Sequence, residues 1–222
     1  MKLRTKVLLC LALLMTLFGS GALTGYHYAK SHPIVRTVFT PYEDGIGAYL
    51  NELDKAHKSV HIAAYAFTDQ RITDKLVSLA KDRGVKIHIL LDQSQSRGRS
   101  APSERKAIEA LRAVGAEIWI GTSEMKHEIM HNKFTVIDGH IVEDGSWNYT
   151  KAANFQGNVL NFVDDYDRAQ KFLADWIRMA AFMKTQDQTL PDPAAKAAAG
   201  DDDPGAADDS ASSPTHHRPR KH

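Results

Sequence analysis

Beyond residue 10 the chain contains no cysteine, and Cys10, its only one, sits inside an apolar run. The residues after that run therefore have no disulfide, no thiolate nucleophile and no cysteine metal ligand. Cys10 has neither a small-residue box nor a cleavage-like context before it, which argues against a lipidated cysteine. Net charge is nearly absent too, with 28 Lys and Arg against 27 Asp and Glu. Residues 31–184 hold 20 of each, so a face for a polyanion has to be local. No internal repeat is present. After Leu190 large apolar residues all but disappear. Residues 185–222, rich in Ala, Asp, Pro, Gly and Ser, therefore cannot bury enough surface to order themselves and read as a disordered tail. Its basic end, His216 to His222, reads as solvated rather than as a metal or polyanion site.

The chain does have a distinctive start. Lys2, Arg4 and Lys6 precede an apolar run from Val7 to Phe18 broken only by Thr16, and Gly19, Ser20, Gly21 and Ala22 follow. This is the layout of a secretory signal peptide, with Ser20-Gly21-Ala22 as a cleavage context. The run falls short of the roughly 20 residues that span a bilayer. Residues 1–30 thus predict export to the periplasm or beyond. The competing reading is an uncleaved inner-membrane anchor, the chain's sole expected link to a membrane.

Between these ends, apolar periodicity predicts helices over residues 42–56, 70–83, 102–114 and 165–184, with Asp69 capping the second and Gly84 ending it. It predicts strands over 60–67, 85–91, 116–120 and 158–163, loops over 93–100 and 121–130, and a short helix over 149–155. Strands alternating with helices give one α/β domain, 31–184: a layered sandwich with a central mixed β-sheet flanked by helices. Loops at strand ends carry chemistry in such sheets, and Arg97 and Arg99 read equally as phosphate contacts or solvated charges.

The most informative stretch is residues 131–148, HNKFTVIDGHIVEDGSWN. Residues 133–137 are rich in β-branched and aromatic side chains and predict a strand, on which His131 and Lys133 share a face. Asp138-Gly139 is a hairpin turn, and the return strand brings Ser146 and Asn148 back toward His131. An imidazole, an ammonium, a hydroxyl and an amide, with no acid among them, suit a phosphate group.

HxKxxxxD followed by GSxN resembles the signature of the phospholipase D superfamily, matched at His131, Lys133, Asp138, Gly145, Ser146 and Asn148. VFTPYEDG, SVHIAAYAFTD, RGVKIHILLD and NVLNFV are similar to the small, single-motif bacterial endonuclease branch, the Nuc type. The resemblance implies catalytic His131, Lys133 and Asp138, with Lys133, Ser146 and Asn148 holding the substrate phosphate, and no metal or other cofactor. It implies hydrolysis through a phosphohistidine at a site shared by a homodimer, because only one copy of the motif is present. The implied substrate is DNA or RNA; the alternatives are a membrane phospholipid or a catalytically impaired nucleic-acid-binding chain.

Three points stand beside the resemblance. His127-Glu128-Ile129-Met130-His131 is a formal HExxH, which binds zinc only on a helix, and the surrounding loop and strand pattern speaks against one. Asp138, five residues beyond Lys133, points to the opposite strand face and suits a structural role at its turn. The family commonly carries a glutamate after GSxN that orients the histidine, whereas residues 151–163 contain no acid. Either another carboxylate orients His131 or a neutral acceptor such as Asn154 or Gln156 holds it.

Overall fold

A computed structural model describes residues 15–16, 34–97 and 101–190. The expected signal peptide or anchor (apart from residues 15–16), Arg99 and the tail beyond 190 lie outside the described residues.

Seven strands form one mixed sheet in the order β1-β7-β6-β5-β2-β3-β4. They are β1 Ile34–Thr40, β2 Ser59–Ala64, β3 Lys86–Asp92, β4 Glu117–Gly121, β5 Lys133–Ile137, β6 Ile141–Gly145 and β7 Asn158–Asp164. Strands β2, β3 and β4 run parallel, and every other pairing is antiparallel. The parallel crossovers run through α2 (Gln70–Arg83) and through α3 (Gln93–Arg97) with α4 (Ala101–Arg112). Helices α1 (Gly45–Leu53) and α5 (Tyr166–Met183) complete the layers.

Period-two alternation divides the core between the two sheet faces. Ile62, Ala64, Ile89 and Leu91 pack with Tyr49, Leu53, Ile72, Leu76 and Ile108 on one side. Ala63, Leu90, Phe134 and Val136 pack with Trp176, Met179 and Met183 of α5 on the other. Helix starts follow local chemistry: Asp44, Asp69 and Asp165 each accept a hydrogen bond from a first-turn backbone N–H. Gly84, at φ 68°, ends α2 in the left-handed conformation.

The structure differs from the sequence reading in five places. Strand β1 is not among the expected elements; residues 35–40 are half exposed, and the strand forms by pairing with β7. Residues 93–97, read as loop, form α3, whose buried Ser96 hydroxyl bonds the Glu104 carboxylate. The first helix is shorter than 42–56, because Asp44 caps it. The helix expected over 149–155 contracts to a 3-10 turn at Ala152–Asn154, since the Tyr149 carbonyl is taken by the Thr68 and Asp69 amides. Residues 185–190, assigned by composition to the tail, are tied to the free edge of β4. Gln188 pairs through its side-chain amide with both Ile120 N and O, and Gln186 accepts from Thr122 N. These amides stand in for a neighbouring strand.

Candidate active site

Strand register gathers the motif at one end of the sheet. Ala64, the last residue of β2, pairs with Lys133, the first of β5. Phe134 pairs with Asp144 near the end of β6, and Gly145 pairs with Leu160 near the start of β7. Asp92 closes β3 at the same end.

Tyr65, just past β2, is the hub. Its N–H donates to the Asn132 carbonyl at 2.9 Å. Its ring lies 4.6 Å from the His131 ring at a 60° tilt, and the Lys133 ammonium stands 4.7 Å from the same ring centre. Gln95 donates to the Tyr65 hydroxyl at 2.8 Å. Lys133 is 9% exposed, and its ammonium donates to the His131 carbonyl at 2.9 Å. The His131 imidazole is open to solvent. Imidazole and ammonium are thus both held against the Tyr65 ring.

Burial sets the electrostatics. It pushes the Lys133 ammonium down to about 8, against the opposing pull of Asp92. Burial first, and then the Lys133 charge, hold His131 below its ordinary value, with Asp92 again opposing. At neutral pH the imidazole is therefore neutral and the ammonium charged, the combination a nucleophile beside an anion-holding cation requires.

Two residues of this arrangement were not singled out from the sequence. Tyr65 is one. Asp92 is the other: it is fully buried, its Oδ2 accepts from the Met130 N–H at 2.7 Å, and its Oδ1 accepts from the Ser94 N–H and hydroxyl. The available signal was positional, since both lie at carboxyl ends of neighbouring parallel strands, where side chains of α/β sheets meet ligands.

The other motif residues are placed as follows. Tyr149 N donates to Ala66 O, which lays Asn148 alongside the segment after β2. The Asn148 side-chain oxygen is buried and makes no hydrogen bond among the described residues, so this amide retains bonding capacity. The Ser146 hydroxyl donates to Asn158 Oδ1 at 3.0 Å and accepts from Val159 N–H at 3.1 Å. It lines a cleft of about 640 Å³ with Phe39, Tyr42 and Glu43, whereas His131 lines another, of about 360 Å³, with Met125, Ile129, Arg178 and Phe182. Ser146 and His131 thus line different clefts, and no hydrogen bond joins them among the described residues.

Asp138 lies at the opposite end of β5, about 17 Å along the strand from Lys133. Its carboxylate accepts from the backbone N–H groups of His57, Lys58 and Ser59 at 2.8–2.9 Å. Desolvation works against the charge, but these three bonds hold its carboxyl below the ordinary value. It adopts φ 53°, which Asp tolerates better than most residues. This geometry corrects the catalytic assignment of Asp138: the side chain is a clamp and does not reach the imidazole.

The neutral acceptors considered for His131 are placed elsewhere. Asn154 Oδ1 accepts from Ile46 N–H, and the Gln156 carbonyl accepts from the Thr40 hydroxyl, both beside β1 and β7. Residues 127–131 are not helical, and His127 takes φ 64° in the loop, so the HExxH spacing does not form a ligand pair on one helix face. Glu143, on β6, is fully buried. It accepts from the Tyr149 hydroxyl, which lies 3.0 Å from the Thr135 hydroxyl, itself 2.8 Å from that of Tyr49. Burial pushes the Glu143 carboxyl up to about 8.

Residues 49–179 match the family described as cardiolipin synthase, PLD-like domain. The chain is 34% identical over 149 residues to a phospholipase D of Rickettsia felis, covering 66% of this chain and 70% of that one. Its structure is similar to that of Nuc from Salmonella typhimurium, a phospholipase D family member, at 29% identity and TM-score 0.59, covering 66% of this chain and 93% of that one. It is also similar to NucT from Helicobacter pylori, at 26% identity and TM-score 0.60, covering 68% and 97%.

Proposed function

Because the chain belongs to the phospholipase D superfamily, in its Nuc-type branch, and is thus a phosphodiesterase, we propose that it is an endonuclease that cleaves DNA or RNA through a phosphohistidine. The observation that carries this reading is that the His131 imidazole and the Lys133 ammonium stand 4.6 and 4.7 Å from the centre of the same Tyr65 ring. The neutral imidazole attacks phosphorus, a P–N bond forms, and the P–O bond to the leaving alkoxide breaks. The alkoxide takes its proton from a second imidazole, which enters the step protonated, as an imidazolium. That group, now basic, takes a proton from water, whose oxygen displaces the histidine and restores the enzyme. Lys133 and Asn148 hold the non-bridging oxygens, and their interaction strengthens as charge develops.

The second imidazole belongs to His131 of another copy of the chain, across a two-fold axis. Each copy has one such histidine, and each presents it open to solvent. A tagged mixed dimer carrying one His131→Asn chain tests this: near-normal turnover from the mixture refutes the shared site. Export through residues 1–30 belongs to the same proposal.

Nucleic acid is favoured by the exposed rings of Phe39 and Tyr42 in the Ser146 cleft, 54% and 92% exposed, which offer faces on which bases stack. A membrane phospholipid is the second reading, favoured by Met125 and Ile129, 71% and 43% exposed on the cleft of His131. Plasmid nicking that survives excess EDTA and is lost in His131→Asn supports the nuclease. Release of headgroup from cardiolipin or phosphatidylcholine vesicles, with plasmid left intact, supports the lipid reading and overturns the first.

A further inference from the structure

Asp92 is a buried carboxylate that the proposed mechanism does not use. It is 0% exposed at the carboxyl end of β3, and no salt-bridging cation contacts it among the described residues. A carboxylate in that position is costly unless its oxygens are satisfied and a positive charge faces it. Its oxygens are satisfied by Ser94 and by the N–H of Met130. Met130 is the residue immediately before His131, and its own side chain is 3% exposed in the core against α5. The carboxylate thus fixes the backbone from which the imidazole projects. The ionisable groups of the site it acts upon are His131 and Lys133.

We propose that Asp92 is a positioning residue of the phosphoryl-transfer site, clamping the backbone that presents His131 and supplying the counter-charge that keeps Lys133 an ammonium. This rests on the His131–Lys133 reading above. It also accounts for the missing acid after GSxN: the carboxylate stands at the end of β3 and acts through a backbone amide and through its field, not through an imidazole bond. Asp92 also acts on the buried Glu104 carboxyl, which is pushed up to about 7, mainly by burial, and which accepts from the Ser96 hydroxyl and the Phe67 N–H. Arg178 of α5 pairs with Glu124 of the loop and with Asp175 of its own helix, and Tyr65 contributes its ring face. Leu91, which precedes Asp92 on β3, pairs with Ala64, and Ala64 pairs with Lys133, so the carboxylate stands at the same sheet end as the ammonium, and it opposes the desolvation of both site groups.

The test follows turnover of bis(4-nitrophenyl) phosphate, which carries neither base nor acyl chain, against pH. The chains compared are wild type, Asp92→Asn, Asp92→Glu and His131→Asn. With Asp92→Asn the alkaline limb of kcat/KM moves to lower pH by about half a unit to one unit, and Asp92→Glu restores the limb at a reduced rate. A lower rate with an unmoved limb makes Asp92 merely structural and overturns the proposal. Turnover that persists in His131→Asn overturns the parent reading instead. In that case, or if Asp92→Asn is poorly folded, the coupling is read from urea unfolding of Asp92→Asn in the wild-type and Lys133→Met backgrounds. Asp92→Asn should destabilise wild type more than Lys133→Met, where no ammonium remains to be faced. Equal losses, or a chain that folds in neither background, overturn it.

Discussion

Lys133 is held in the fold against its own solvation, and the size of that opposition is measurable without knowing the substrate. Its ammonium titrates at about 8 in the folded chain against an ordinary 10.5, a gap of about 2.5 units. At 1.36 kcal/mol per unit this is about 3 kcal/mol, the cost to the folded state of keeping the group charged at neutral pH. Because the folded value is the lower one, the cost is fully present below pH 8, shrinks between pH 8 and 10.5, and vanishes above. Lys133→Met removes the charge and keeps the apolar stem. The substituted chain should be the more stable one at pH 7. Its advantage should narrow by about 2.5 kcal/mol between pH 7 and pH 10. In melting temperature that is a narrowing of roughly 5–10 °C for a domain of this size. Urea unfolding of both chains at each pH is the assay, since titrations elsewhere cancel in the difference. A gap that stays constant with pH refutes the reasoning, because it would mean that the ammonium is not desolvated.

The remaining expectations concern neighbouring groups. Lys133→Arg keeps a positive charge beyond pH 12, so the alkaline limb near pH 8 should disappear from the kcat/KM profile even where the rate falls; a limb retained near pH 8 would assign it to another group. Asp138→Asn keeps a side chain that tolerates positive φ but removes the charge and one acceptor from three backbone N–H groups. Urea unfolding at pH 7 should show a loss of about 1.5–3 kcal/mol. The loss should fade as pH falls through the depressed Asp138 value, while the pH limbs of turnover stay in place. Glu143→Gln should stabilise the chain at pH 7.5 by on the order of 2–4 kcal/mol. The carboxyl titrates at about 8 in the fold against 4.5, so folding is opposed progressively as pH rises from 4.5 to 8. Equal melting of the two chains at pH 7.5 would show that Glu143 is already ionised in the fold.

How far the sequence reaches depends on whether a feature is local. The spacing of His131, Lys133 and Asp138, the hairpin at Asp138-Gly139, the caps at Asp69 and Gly84 and the alternation of β2, β3 and β5 are local, and the α/β layering follows from them. Strand β1 is not local in this sense, because Ile34 to Thr40 become a strand by pairing with Asn158 to Asp164 more than a hundred residues later. The motif pointed to His131 and Lys133 but not to the groups the fold places around them. Tyr65 comes to Lys133, and Asp92 to the same sheet end, only once β2 pairs with β5 on one side and β3 on the other. Glu143 illustrates the same limit: it lies on the return strand of the hairpin, and only the fold makes it a buried partner of Tyr149.

Asp138 nevertheless belongs with His131 and Lys133 for a physical reason. Side chains at 131, 133 and 135 share one face of the strand, two at the site and the third, Thr135, in the Tyr49–Tyr149–Glu143 network. Phe134 and Val136 share the other face, against α5. A slip of one residue in β5 would drive Lys133 into the Phe134 and Trp176 cluster and turn Phe134 toward Tyr65. Two devices oppose that slip. The Thr135 hydroxyl network engages the strand in its middle, and the Asp138 carboxylate grips three backbone amides of the segment entering β2 at its far end. Since β2 leads directly into Tyr65, a grip on the start of β2 sets where Tyr65 stands relative to Lys133 along the whole pairing from Val60–Ile137 to Ala64–Lys133. The aspartate acts on the site through register, from a distance at which it cannot act on it through contact.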